Sequence, residues 1–235
     1  MFTSHRDSNG LLYYYVSKDS HPSSRILFLD LDHTLIVTKS GKKHPVNHHD
    51  WKFMMDPKIF QPYLAAGWRL VILTNQKKMV FTDVEIKMPA IITELEAIGI
   101  PTTVLVATQD DFYRKPSTGM IDFLLERHNG PYSKLDKAAS FMVGDAAGRK
   151  GDYSAVDLML AENVGIHFMT PEIFTDDFRI APPGGKIIAS KAMRTLVSDL
   201  VANPKYFNPQ AYICSLKESD LLAYTKEITK LEAAI

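Results

Sequence analysis

Residues 26–36 read ILFLDLDHTLI. The apolar run from Arg25 to Leu31 has the length and composition of a buried strand, and two carboxylates, Asp30 and Asp32, stand at its end. Residues two apart on a strand face the same side, so both carboxylates reach one pocket. Working outward, apolar runs at 68–74, 101–108, 138–144 and 164–169 read as further strands. Helical patterns at 57–67, 82–98, 117–128 and 152–163 lie between them, two of them closed by Gly67 and Gly99. Near-continuous apolar strands alternating with helices predict an α/β fold. Its sheet is parallel and Rossmann-like, with right-handed crossovers, helices on both faces and a small flap after strand one. Residues 1–24 form an irregular or short β lead-in, 25–180 the main domain, and 181–235 a helical C-terminal extension packed on it.

Composition removes several classes of function. Lys and Arg together number 27, as do Asp and Glu, so no global field draws in nucleic acid or a membrane surface, and only a local basic patch remains open. With Cys214 as its single cysteine, the chain forms no intramolecular disulfide and no multi-thiolate zinc site. The expected setting is intracellular and reducing. No apolar run approaches the roughly 20 residues of a membrane helix, and MFTSHRDSNGLLYYY has no signal-peptide core.

Ligands of open α/β sheets bind beyond the carboxyl ends of the strands. There the sequence places Asp30, Asp32, His33 and Thr34 after strand one, and Thr74, Asn75 and Gln76 after strand two. Tyr113, Arg114 and Lys115 follow strand three. Asp145 follows strand four, with Asp152 seven residues on. A single Asp at a strand end is ordinarily a helix cap or turn residue, and a DxD pair alone says little. Four such signals, each at the end of an expected strand, say much more. Clustered carboxylates repel unless a cation intervenes. Mg²⁺ suits oxygen ligands and accepts a substrate phosphate oxygen. A lysine beside the cluster balances charge and holds a phosphate. One carboxylate can attack phosphorus, and the other can protonate the leaving oxygen.

These motifs resemble those of the haloacid dehalogenase superfamily of phosphotransferases: DLDHT its first motif, LTN its second, RKP its third, and VGD with Asp152 its fourth. The resemblance implies that Asp30 is the nucleophile. Asp32 would be the general acid and base, offering its backbone carbonyl to Mg²⁺. Thr34 would support the nucleophile's loop, and Thr74 and Lys115 would bind the transferring phosphate, with the Asn75 amide beside them. Asp145 would complete the metal site with Asp30 and Asp32. Asp152 would orient Lys115 or sit behind the metal ligands, with Asp157 its rival. Longer runs, HPVNHHDWKFM, GWRLVILTNQ, VLVATQDDFYRKPSTGM and FMVGDAAGR, resemble the phosphatase domain of polynucleotide kinase/phosphatase over roughly residues 25–172. That family removes 3′-phosphates from DNA ends through an aspartyl-phosphate.

Departures from the pattern are few. His33 stands where the superfamily usually has Gly, and KKMVFTDVE replaces a Gly-rich stretch after TNQ. No GxxxxGK(S/T) run occurs, so the expectation is a stand-alone 3′-phosphatase without kinase activity. Lys39, Lys42, Lys43, His44, Lys77, Lys78, Arg114, Arg149 and Lys150 are expected to rim the crevice. Of these, Lys42, Lys43, Lys77, Lys78, Arg114 and Arg149 are the candidates for DNA contacts, although lysine pairs are often merely solvated turns. Trp51 or Phe112 could stack on a terminal base, but the apolar segment after Trp51 favours a core role. His44, His48 and His49 lack metal spacing on one element. The expected partners are DNA ends bearing 3′-phosphate, and repair proteins through the C-terminal helices, with no membrane. A nuclear location follows from the DNA role. Two other readings compete. One is a small-molecule phosphomonoesterase of the same superfamily acting on a sugar or histidinol phosphate, whose version with a zinc loop of several cysteines the single cysteine disfavours. The other is a degenerate scaffold, which the intact carboxylates disfavour.

Overall fold

The computed structural model describes residues 1–7, 11–77 and 81–176. The expected C-terminal helices, Cys214 and Lys78 lie outside them.

Chain order begins with β1 (Phe2–Arg6), β2 (Leu12–Ser17) and β3 (Ile26–Leu29), then β4 (Ile36–Val37) and β5 (Lys52–Phe53). It continues with α1 (Gln61–Ala65), β6 (Arg69–Asn75), α2 (Phe81–Ala97), β7 (Thr102–Ala107) and α3 (Gly119–Arg127). It ends with β8 (Phe141–Val143), α4 (Val156–Val164), β9 (His167–Met169) and α5 (Pro171–Asp176). Seven strands form one sheet in the order β1-β2-β7-β6-β3-β8-β9. The last five in that order are mutually parallel, and β1 and β2 extend the sheet as an antiparallel hairpin against β7. The lead-in is thus ordered and covers a sheet edge. β4 and β5 form a separate two-stranded flap.

Side chains of each strand alternate between two cores. Phe28, Val71, Leu73 and Leu105 meet α3 and α4 through Met120, Leu124 and Leu158. Leu27, Leu29, Ile72 and Val104 meet α2 through Val84, Met88, Ile91 and Leu95. With both faces covered, every residue of β3 is buried, which is why its sequence shows no polar alternation. Arg69 is also buried, and burial lowers its pKa to about 10. Its guanidinium donates to the His128 carbonyl (2.6 Å), Asn129 Oδ1 (2.9 Å) and Thr103 Oγ1 (2.8 Å), tying the start of β6 to the end of α3.

Several elements start or stop elsewhere than the pattern predicts: α1 is shorter than 57–67, and β8 and β9 begin at Phe141 and His167 rather than at 138 and 164. Strand one ends at Leu29 because the chain coils immediately afterwards: the Leu35 and Ile36 amides both donate to the Leu31 carbonyl (3.0 and 2.9 Å). The fourth helix begins at Val156 rather than at 152, and residues 145–155 form a loop.

Candidate active site

The crevice opens at the carboxyl ends of the parallel strands, where the strand order reverses between β3 and β8. Asp30 follows β3, and its amide still donates to the Val143 carbonyl at 2.9 Å. Lys115 arrives from the β7–α3 loop, and its Nζ lies 2.5 Å from Asp30 Oδ1 and 2.7 Å from Asp157 Oδ1. Asn75, the last residue of β6, fixes that lysine from below. Its Oδ1 accepts from the Lys115 amide and its Nδ2 donates to the Lys115 carbonyl, both at 3.0 Å. Asp145 follows β8, and its amide donates to Thr34 Oγ1 at 3.0 Å. One carboxylate oxygen each from Asp30, Asp145 and Asp157 lie within 4.8 Å of one another, a group that could hold a metal ion.

Asp32 stands apart from that cluster. Its Oδ1 accepts from Lys87 Nζ at 2.9 Å and its Oδ2 from Gln76 Nε2 at 2.5 Å, while Gln76 also donates to Thr74 Oγ1 at 2.7 Å. The Asp32 carboxylate is therefore not part of the acidic group that could hold a metal ion. Lys87 is the residue that reading the sequence missed. It is buried on α2, and the available signal was its helical spacing from Val84 and Ile91, which puts a lysine on an apolar face in need of an acid. His33 adopts φ 62°, the left-handed conformation that costs a β-carbon and that glycine adopts freely, which accounts for the family's usual residue at this turn.

Asp152 does not reach Lys115; Asp157 does. The Asp152 carboxylate accepts from the amides of Ala147 (3.1 Å) and Arg149 (3.0 Å) and from Arg149 Nε (3.0 Å), so it braces the loop. The late start of α4 puts Asp157 in its first turn, buried beneath Gly144. A β-carbon on Gly144 would stand 2.4 Å from Asp157 Oδ2, so the Gly of VGD is required by the Asp behind it.

Charge in the crevice does not balance within the protein. Lys43, Lys77 and Asp83 also line it, and Asp32 is paired with Lys87, but in the acidic cluster Asp30, Asp145 and Asp157 meet only Lys115, leaving two carboxylates in excess there. Burial pushes the Asp30 carboxyl well above its usual range; Lys115 opposes this, and Asp157 and Asp145 add to it. Asp145 rises to about 6, through burial first and Asp157 next. Burial pulls Lys115 down, but Asp157 and Asp30 outweigh it and hold the ammonium above the ordinary lysine value. Two excess negative charges on hard oxygen ligands match one divalent cation.

Residues 25–175 match the model of the polynucleotide kinase 3 phosphatase family. The chain belongs to that family. It is 34% identical over 193 residues to the bifunctional polynucleotide phosphatase/kinase of Schizosaccharomyces pombe, covering 79% of this chain and 45% of that one. It is 32% identical over 168 residues to the polynucleotide 3′-phosphatase ZDP of Arabidopsis thaliana, covering 64% of this chain and 24% of the other. The chain thus spans less than half the length of either relative. A solved structure of HAD-like phosphatase type from Mesorhizobium loti shares the fold at 17% identity and a TM-score of 0.56, covering 74% of this chain and 95% of that one.

Not all of the basic residues expected around a polynucleotide kinase 3 phosphatase crevice line it. Lys43 and Lys77 do, with His44 and His48. Lys77 also pairs with Asp110. Arg114 is held by Asp110 at 3.2 Å, and Arg149 by Asp152 at 3.0 Å and Glu172 at 3.2 Å. Neither lines the crevice. Lys42 lies in the flap outside the lining, where its carbonyl accepts from Thr38 Oγ1 at 2.6 Å. Trp51 is buried against Phe53, and Phe112 opens onto a different groove with Tyr14, Phe123 and His128. Tyr153, which the sequence reading did not single out, stands 90% exposed at the crevice mouth.

Proposed function

We propose that this chain is a Mg²⁺-dependent polynucleotide 3′-phosphatase that clears 3′-phosphates from DNA ends during strand-break repair, and that it acts in the nucleus. The observation that carries the chemistry is the buried Lys115 bridging Asp30 and Asp157, with the Asp32 carboxylate lining the same crevice in the hold of Lys87. The family and the relatives supply the polynucleotide 3′-end.

Lys115 holds Oδ1 of Asp30, and Oδ2 is the oxygen offered to phosphorus. As the Asp30–phosphorus bond forms, the bond from phosphorus to the 3′-oxygen breaks, and Asp32 gives that oxygen a proton. Asp32 then takes a proton from water as the water oxygen attacks phosphorus, which frees Asp30 and releases inorganic phosphate. Lys87 and Gln76 hold Asp32 in place for both transfers. Asp157 and Asn75 act through Lys115 and are positioning residues. Asp30 and Asp145 would hold the magnesium, which when bound offsets their charge and that of the phosphoryl oxygens. Contacts with repair proteins through 181–235 belong to the same reading and lie outside the described residues.

The test is phosphate release from matched 3′- and 5′-phosphorylated oligonucleotides and from p-nitrophenyl phosphate, with Mg²⁺ or EDTA. The expected result is metal-dependent loss of the 3′-phosphate only, abolished in Asp30→Asn. Release from the small ester alone would make the protein a small-molecule phosphomonoesterase.

A further inference from the structure

Lys115 stands on a long loop, eight residues beyond Ala107 at the end of β7. A shift of about an ångström in a catalytic group can cost roughly a hundredfold in rate, so the loop needs ties of its own. Asn75 holds the Lys115 peptide itself. After it, Asn163 Nδ2 on α4 donates to the Pro116 carbonyl at 2.9 Å. Before it, the tie runs to the lead-in hairpin: the Tyr113 hydroxyl donates to Asp7 Oδ2 at 3.1 Å. Asp7 is itself fixed. Its Oδ1 accepts from the amides of Leu11 (2.7 Å) and Leu12 (2.9 Å), and its own amide donates to the Leu12 carbonyl at 3.0 Å. Leu12 pairs with Ala107, the residue from which the loop departs, so the brace is anchored on the sheet.

The Tyr113 ring stands edge-on to Phe123 of α3, with centroids 6.1 Å apart, which fixes the direction of its hydroxyl. Burial first, and Asp7 next, push its pKa above the ordinary tyrosine value, so the hydroxyl keeps its proton and donates. Neither Asp7 nor Tyr113 lines the crevice; both line a separate groove with Tyr14 and Phe123. The hairpin also precedes residues 25–175, the stretch that matches the family. Resting on the 3′-phosphatase reading, we propose that Asp7 and Tyr113 are positioning residues for phosphoryl transfer. The hairpin carboxylate, through the Tyr113 hydroxyl two residues before Lys115, sets where the lysine stands between Asp30 and Asp157. Lys115 must hold Oδ1 of Asp30 if Oδ2 is to face phosphorus, so a displaced lysine turns the nucleophile away. The hairpin that covers the sheet edge is thereby part of the catalytic unit.

Tyr113→Phe keeps the ring and its packing and removes only the hydroxyl. In that variant kcat for release of phosphate from a 3′-phosphorylated oligonucleotide is expected to fall about tenfold, with KM unchanged. Inhibition by orthovanadate, which adopts the five-coordinate geometry of phosphorus in transfer, should weaken by a similar factor. Amide exchange across 111–117 should accelerate while that of β3 does not. Asp7→Ala should slow turnover in the same way, and Asp7→Asn, which still offers the hydroxyl a partner, should restore most of kcat. Because the two residues act through one hydrogen bond, the double variant Asp7→Ala/Tyr113→Phe should be no slower than Asp7→Ala alone. Unchanged kcat and vanadate inhibition in Tyr113→Phe, unchanged exchange across 111–117, or additive losses in the double variant would each overturn the proposal and leave the phosphatase reading standing. Absence of 3′-phosphate release by the unaltered protein overturns both.

Discussion

At the scale of single residues, the site turns on which acid meets Lys115. A buried charge that loses its partner is costly, roughly 3–5 kcal/mol. Asp157→Ala would strand part of the Lys115 charge 1% exposed in the core, and chemical denaturation should show a loss of that order together with loss of activity. Asp152→Ala removes only loop hydrogen bonds to Ala147 and Arg149, with an expected cost of about 1–2 kcal/mol and phosphatase activity largely retained. Equal effects of the two substitutions on activity would contradict the assignment. The sequence could not separate these acids. Both follow VGD within one helical turn of a plausible helix start, and the actual N-cap, Ala155, makes no side-chain capping bond that would mark the boundary. The clash that Gly144 avoids with Asp157 exists only once the chain is folded.

At the scale of elements, legibility followed length and burial. The parallel strands were readable because both faces of each are covered and the apolar runs are continuous. The flap strands have two residues each, too few for any period, and the hairpin's Tyr13-Tyr14-Tyr15 hides the alternation that would have marked β2. The flap nonetheless has one identifiable support. Hydrogen bonds from the Val46 amide, and then from Ser40, hold the Asp50 carboxyl below the usual carboxylate range. Asp50→Ala should loosen residues 38–50. Amide exchange there is expected to accelerate, and KM for a 3′-phosphorylated oligonucleotide to rise about threefold to tenfold, with kcat changed less. Unchanged exchange in this segment would show that the flap is held by other contacts.

For the whole molecule, the excess acid in the crevice links stability to pH and metal. Asp145 titrates at about 6 in the fold, above its ordinary value of 3.8, and Asp30 shifts in the same direction. A raised carboxyl pKa means that the fold favours the proton. This contribution is full below about pH 4 and is lost as pH rises through about 6. Metal-free protein should therefore lose this share of its stability across that window. Mg²⁺ must displace the same protons, so the rise in Tm on adding it should be larger at pH 7.5 than at pH 5. Asp145→Asn should flatten both trends in thermal denaturation with EDTA or Mg²⁺. The topology that gathers these acids also has a consequence for synthesis. Asp30 and the lysine that steadies it are 85 residues apart in the chain, Asp145 and Thr34 are 111 apart, and contacts of that separation close late. A nascent chain on the ribosome carries Asp30 long before Asp157 has emerged, so it cannot cleave phosphate until nearly the whole sheet has assembled.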